Sequence, residues 1–160
     1  MAELASYVEI LQDGLKEKIT ILTNIIELNS KQEELLKEDV FDVDAFDNIV
    51  DKKQKLIGSL NKLDDGFEAT YDRIRVEFTE RKEEFKRELS SMKADIAVVM
   101  DCSMTIQASE ARNKEKIESY FRNERKIINS KRVSKKAALD YYKANSRVNY
   151  YEPVVLDKRK

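Results

Sequence analysis

Residues 79–85 read TERKEEF, and whether a helix can pass through them decides the fold. Before them, Phe46, Ile49/Val50, Leu56/Ile57, Leu60, Leu63, Phe67, Tyr71, Ile74 and Phe78 recur at steps of three and four. After them, Phe85, Leu89, Met92, Ile96, Val99, Ile106, Ile117, Tyr120/Phe121 and Ile127 carry the same helical spacing onward. The seven residues hold no Gly and no Pro, and Thr79 is only a modest cap. One uninterrupted helix over 43–128, satisfied by dimerisation, is one solution. Length argues for another. A first helix over 4–37 would span about 50 Å at 1.5 Å per residue, and an antiparallel partner starting at 43 matches it by ending near 78. The spacing therefore predicts a turn at about 79–83.

That first helix is written by Leu4, Val8, Leu11, Leu15, Ile19, Leu22, Ile26 and Leu36, with Asn29 and Glu33 filling the intervening steps. Tyr7, Ile10, Ile21, Ile25 and Leu28 widen the stripe, so the helix should pack against two neighbours. In KEDVFDVDAFDNIV (37–50) a reversal falls at about 37–42. Asp42 is placed to cap the second helix, and Asp44 and Asp47 put negative charge near its positive end. Gly58 and Gly66 weaken that helix by roughly 1 kcal/mol each without having to break it.

The expected fold is all-α: an elongated antiparallel three-helix coiled-coil bundle over 1–130, with helices at about 3–37, 43–79 and 83–129. The third helix should overhang the other two and leave part of its stripe uncovered. Residues 131–160 then form a flexible or short-helical tail, with a possible helix over 135–144 capped by Ser134. Only 3 Gly and 1 Pro in 160 residues leave too few turn formers for a sheet-rich fold.

Charge divides the chain. Residues 113–160 carry 14 Lys/Arg against 6 Asp/Glu, a net of +8, and the remaining 16 basic and 25 acidic residues leave 1–112 at −9. The +8 region ends in YYKANSRVNYYEPVVLDKRK (141–160), which holds four of the seven tyrosines. Without heptad phase, Tyr141, Tyr142, Tyr150 and Tyr151 read as contacts in an exposed tail, for a partner or for the bundle itself.

Catalytic chemistry has little to work with. There is no histidine, so the commonest general base and metal ligand is missing, and Cys102, the only cysteine, has neither a disulfide partner nor an activating imidazole. No GxxxxGK[ST] or GxGxxG occurs. A non-enzymatic protein without cofactor or metal is expected. The opening MAELASYVEILQDGL is an acidic amphipathic helix, and no apolar stretch approaches the ~20 residues of a membrane span, so a soluble cytoplasmic protein without membrane insertion is expected.

Two further patterns bear on partners and register. Met92, Met100 and Met104, with Cys102, are either core filling or the flexible lining of a groove for a partner helix. Asn29 and Asn113 fall at core-phase positions, where polar residues commonly fix register.

Long first helix, acidic aliphatic-aromatic turn (LLKEDVFDVDAFDNIVDKKQKLI, 35–57), second helix and longer third: this order resembles the FlgN-type flagellar export chaperones, especially their longer clostridial relatives. QASEARNKEKIESYF (107–121) looks like the segment past the middle of that family's third helix, and KKAALDYYKANSRVNYYEPVVLDKRK (135–160) like its tail. The resemblance implies a cytoplasmic helper of flagellar type III secretion, which binds helical C-terminal segments of hook-filament junction (hook-associated) proteins, prevents premature assembly and delivers them to the export gate. In that family the third helix and C-terminal region are associated with substrate, and a tyrosine near the end contributes to docking on the gate's cytoplasmic domain. The corresponding candidates are Met92, Ile96, Val99, Met100 and Ile106 on the third helix, and Tyr120, Tyr141, Tyr142, Tyr150 and Tyr151 for the gate, in a monomer or homodimer. The filament cap protein is an alternative cargo, and a structural scaffold an alternative function. Nucleic-acid binding by the tail is disfavoured, because a bundle at −9 repels a polyanion.

Overall fold

The computed structural model describes residues 2–123 and 132–145. They are helical almost throughout: α1 is Ala2–Lys37, α2 Val43–Glu80, a 3-10 turn follows at Lys82–Phe85, α3 is Lys86–Asn123 and α4 Arg132–Asn145. The protein is an all-α helical bundle with a short C-terminal helix. None of its described residues other than glycine has a positive φ, and no helix among them is long and apolar enough to cross a membrane.

The helix ends follow from local chemistry. At the start of α2, the Asp42 carboxylate accepts the otherwise orphaned Ala45 N–H at 3.0 Å, while the Asp42 carbonyl accepts the helix's first intrahelical bond from Phe46 at 3.1 Å. At TERKEEF the reversal needs no glycine. Arg81 leaves the helical region at φ −108°, ψ 23°, and its guanidinium reaches back to Glu77 at 3.0 Å and forward to Glu84 at 2.8 and 2.9 Å. Phe78 and Phe85 meet edge-on at 5.8 Å, both buried. Two phenylalanines drawn into one core, with a fork-shaped cation across the bend, break the helix where no sequence breaker stands.

The chain forms two compact units. Among the described residues the first comprises 2–23 and 58–103, and the second 24–57, 104–123 and 132–145, so each long helix contributes to both. In the first unit α1 and α2 run antiparallel: Glu3 pairs with Arg73 and Lys18 with Asp64. Its core is one apolar cluster: Leu4, Val8, Leu11 and Leu15 from α1, Phe67, Tyr71, Ile74 and Phe78 from α2, then Phe85, Met92 and Ile96. In the second unit α3 runs parallel to α1, with Asn29 at Ser109 and Gln32 at Asn113.

Two expectations need correction. The third helix has no uncovered apolar stripe among the described residues: Ile106, Ile117 and Phe121 are all buried. The α1–α2 turn is one reason, because it carries Phe41 to within 4.4 Å of the Tyr120 ring. Nor is the start of the tail exposed. Residues 132–145 form a helix that buries Ala138, Tyr141 and Tyr142. Residues 124–129 of the expected third helix, and the rest of the tail, lie outside the described residues.

Candidate functional site

The second unit sets a cluster of polar side chains within its apolar interior. Lys53 stands on α2 in the stripe that carries Val50, Ile57 and Leu60, so helical phase sends it inward and it is fully buried. Its ammonium has three N–H groups to place. One goes to Gln32 Oε1 at 3.1 Å and another to Glu110 Oε1 in a close ion pair, while the Tyr141 ring lies 4.4 Å from the nitrogen. Glu110 is the wetter partner, and its second oxygen accepts the Tyr141 hydroxyl at 2.5 Å. The Tyr142 hydroxyl donates to Gln32 Oε1 at 3.3 Å, and the two tyrosine rings meet edge-on at 5.0 Å. α4 is thus keyed to a buried charge pair through both of its tyrosines.

A run of amides continues the cluster. Asn113 Nδ2 donates to Gln32 Oε1 at 3.2 Å and to the Asn29 carbonyl at 3.1 Å, and Asn29 Nδ2 donates to the Ser109 hydroxyl at 2.8 Å. Satisfaction is incomplete: Asn29 Oδ1, Gln32 Nε2 and Asn113 Oδ1 are buried without a hydrogen-bond partner among the described residues. Each such atom costs about 1–3 kcal/mol of desolvation. Burial lowers the pKa of Lys53, against the raising influence of Glu110, and it pushes Tyr142 up, with the Glu110 charge adding to the rise.

A second feature of this unit is a cleft of about 600 Å³ lined by Leu36, Lys37, Arg112, Glu115, Lys116, Ser119 and Tyr120. Glu33 stands beside it, 3.6 Å from Lys116 and 4.0 Å from Arg112.

The residues singled out from sequence scatter. Met92 and Ile96 belong to the apolar cluster of the first unit, Val99 and Ile106 are buried, and none of the four presents a surface to a partner. The expectation of a groove there is corrected: these are the α3 positions that face the core. Met100 is exposed and Met104 more so, at 62%. Tyr120 is half-buried at the cleft. Tyr141 and Tyr142 come together at Lys53 and are buried, not exposed; the tail lacks a heptad stripe because two adjacent rings suffice to seat it. Tyr150 and Tyr151 lie outside the described residues.

Sequence reasoning noticed Asn29 and Asn113 but missed Gln32, Lys53, Ser109 and Glu110. A signal existed for Lys53, which sits three and four residues from Val50 and Ile57 in an otherwise apolar stripe. No group of three or more His, Cys, Asp or Glu side chains that could hold a metal occurs among the described residues. No protein-family model, curated protein or solved structure matches this chain.

Proposed function

We propose that the protein is a cytoplasmic, non-enzymatic chaperone of the FlgN type, which holds helical C-terminal segments of flagellar hook-associated proteins and hands them to the export gate. The observation that carries the reading is the pair of exposed thioethers of Met100 and Met104, one helical turn apart on α3. From Met104 onward the sequence MTIQASEA (104–111) has only one charge, Glu110, in a chain that is 38% charged. A flexible, polarizable side chain on a nearly uncharged helical face suits the apolar side of an amphipathic helix, and it adapts to more than one such partner. Tyr120 is the tyrosine of choice for the gate, since its half-buried side chain lines a cleft with Lys37, Arg112 and Lys116 around it.

Co-purification from a flagellated host tests the proposal. A junction-type flagellar protein should come down at near-equal stoichiometry, and Met104→Glu should remove it while leaving the helical content unchanged. Recovery of self-associated chain alone would favour a scaffold, and recovery of the filament cap protein would reassign the cargo.

A further inference from the structure

We propose that α4 is a detachable latch, keyed by the Tyr141 hydroxyl to the Lys53–Glu110 pair, which opens as a unit while the three long helices stay folded. The contact surface is the reason. α4 has 14 residues, too few to persist as an isolated helix in water, so its order depends on docking. Of its described side chains only Ala138, Tyr141 and Tyr142 are buried, and Leu139 stays 38% exposed. The two tyrosines meet polar partners: Tyr141 meets Glu110 and Lys53, and Tyr142 meets Gln32. Undocking returns the Lys53 ammonium and the Gln32 amide to water, and the hydration they regain offsets part of the apolar burial that is lost. Gln32 Nε2, buried without a partner among the described residues, gains most directly. An apolar seat would recover nothing of this kind, so α4 opens at lower cost than a helix docked by leucines.

The surface left behind is an acceptor with a readable preference. It takes a helix that sets one aromatic hydroxyl on the Glu110 carboxylate and the next on the Gln32 amide oxygen, with a ring over the Lys53 ammonium, and a second copy of α4 meets that description by construction. The inference does not depend on the flagellar reading.

Hydrogen exchange on the full chain tests it, with Tyr141→Phe as the variant and Leu139→Ala as the control. In the wild type, α4 amides should exchange at least about ten-fold faster than those of α3 around Ile106, a sub-global opening. Tyr141→Phe keeps the ring but removes a hydrogen bond to a charged acceptor, so it should speed α4 by a further ten-fold or so and leave the first unit unchanged. Leu139→Ala should do neither. A fluorescent peptide of residues 132–145 should bind the Tyr141→Phe chain more tightly than the wild type, because its competitor in cis is then docked for less of the time. Exchange of α4 only at the rate of the whole bundle, equal acceleration in every helix, or no gain in peptide binding would each overturn the proposal.

Discussion

The first unit closes on Leu11, Leu15, Phe67, Phe78 and Met92 with one buried lysine, Lys18, whereas the second sets Asn29, Gln32, Lys53, Ser109 and Asn113 among Ile25, Phe46, Ile106 and Ile117. The same three helices supply both, so the difference lies in side chains and not in backbone architecture. An apolar core is non-directional: each side chain gains roughly in proportion to the area it removes from water, and many arrangements score alike. A polar interior is directional. Gln32 Oε1 satisfies Lys53, Asn113 and Tyr142 only when α1, α2, α3 and α4 are all in one register. Both units draw stability from apolar burial, and the second adds alignment together with a seat for α4 that is costly to bury and open to competition.

Breaking the apolar side of this comparison should have the largest effect. Phe78 is fully buried at the α2–α3 reversal, and Phe78→Ala should cost about 3–5 kcal/mol in denaturant unfolding. An effect under 1 kcal/mol would mean that the first unit does not draw its stability from apolar burial.

On the polar side, the two members of the ion pair should behave unequally. Glu110→Ala leaves the Lys53 ammonium buried without its carboxylate and should cost about 3 kcal/mol. Lys53→Met should fall within about 1 kcal/mol of the wild type, or stabilise, since burial depresses the lysine pKa more than Glu110 restores it. Equal losses from both variants would show that the pair is worth more than its desolvation.

Titration sharpens the contrast. The folded state disfavours charge on Lys53, so between its lowered pKa and the ordinary lysine value near 10.4 the unfolded chain binds more protons, and stability rises with pH. Tyr142 has the opposite sign: its pKa is raised, the folded state retains the proton, and stability falls as pH climbs above the ordinary tyrosine value near 10. Chemical denaturation across pH 8–11 should show the later fall, and Tyr142→Phe should remove it.

The smallest effect belongs to the turn between α1 and α2. Asp42→Ala removes the acceptor of the Ala45 N–H and should cost about 1 kcal/mol by thermal melt. The loss should fall on the second unit, which holds this turn, and be visible as faster exchange at the start of α2.

Much of this architecture was legible as pattern. The stripe from Leu4 to Leu36 specifies a helix with two buried sides, and Asp42 marks the start of α2 through the chemistry of its own side chain. The reversal at 79–83 was legible only by matching lengths, since its cause is the meeting of Phe78 and Phe85 in one core. The candidate site was less legible. Periodicity reports which positions face inward, and on that ground Met92, Ile96, Val99 and Ile106 are core positions before they are partner contacts. It does not report that a lysine at such a position will find its carboxylate 57 residues away.

What the sequence determined by itself is therefore the local part: helix content, the phase of each stripe, the cap at Asp42 and the split of charge at about residue 112. Each follows from interactions within a few residues or from simple counting. Tertiary structure alone decided that Lys53 and Glu110 would pair, that Gln32 would serve three donors, and that Tyr141 and Tyr142 would be drawn from a basic tail into the interior. Those outcomes depend on bringing distant side chains to within 3 Å or so of one another, and the desolvation that makes such contacts count exists only once the helices have closed around them.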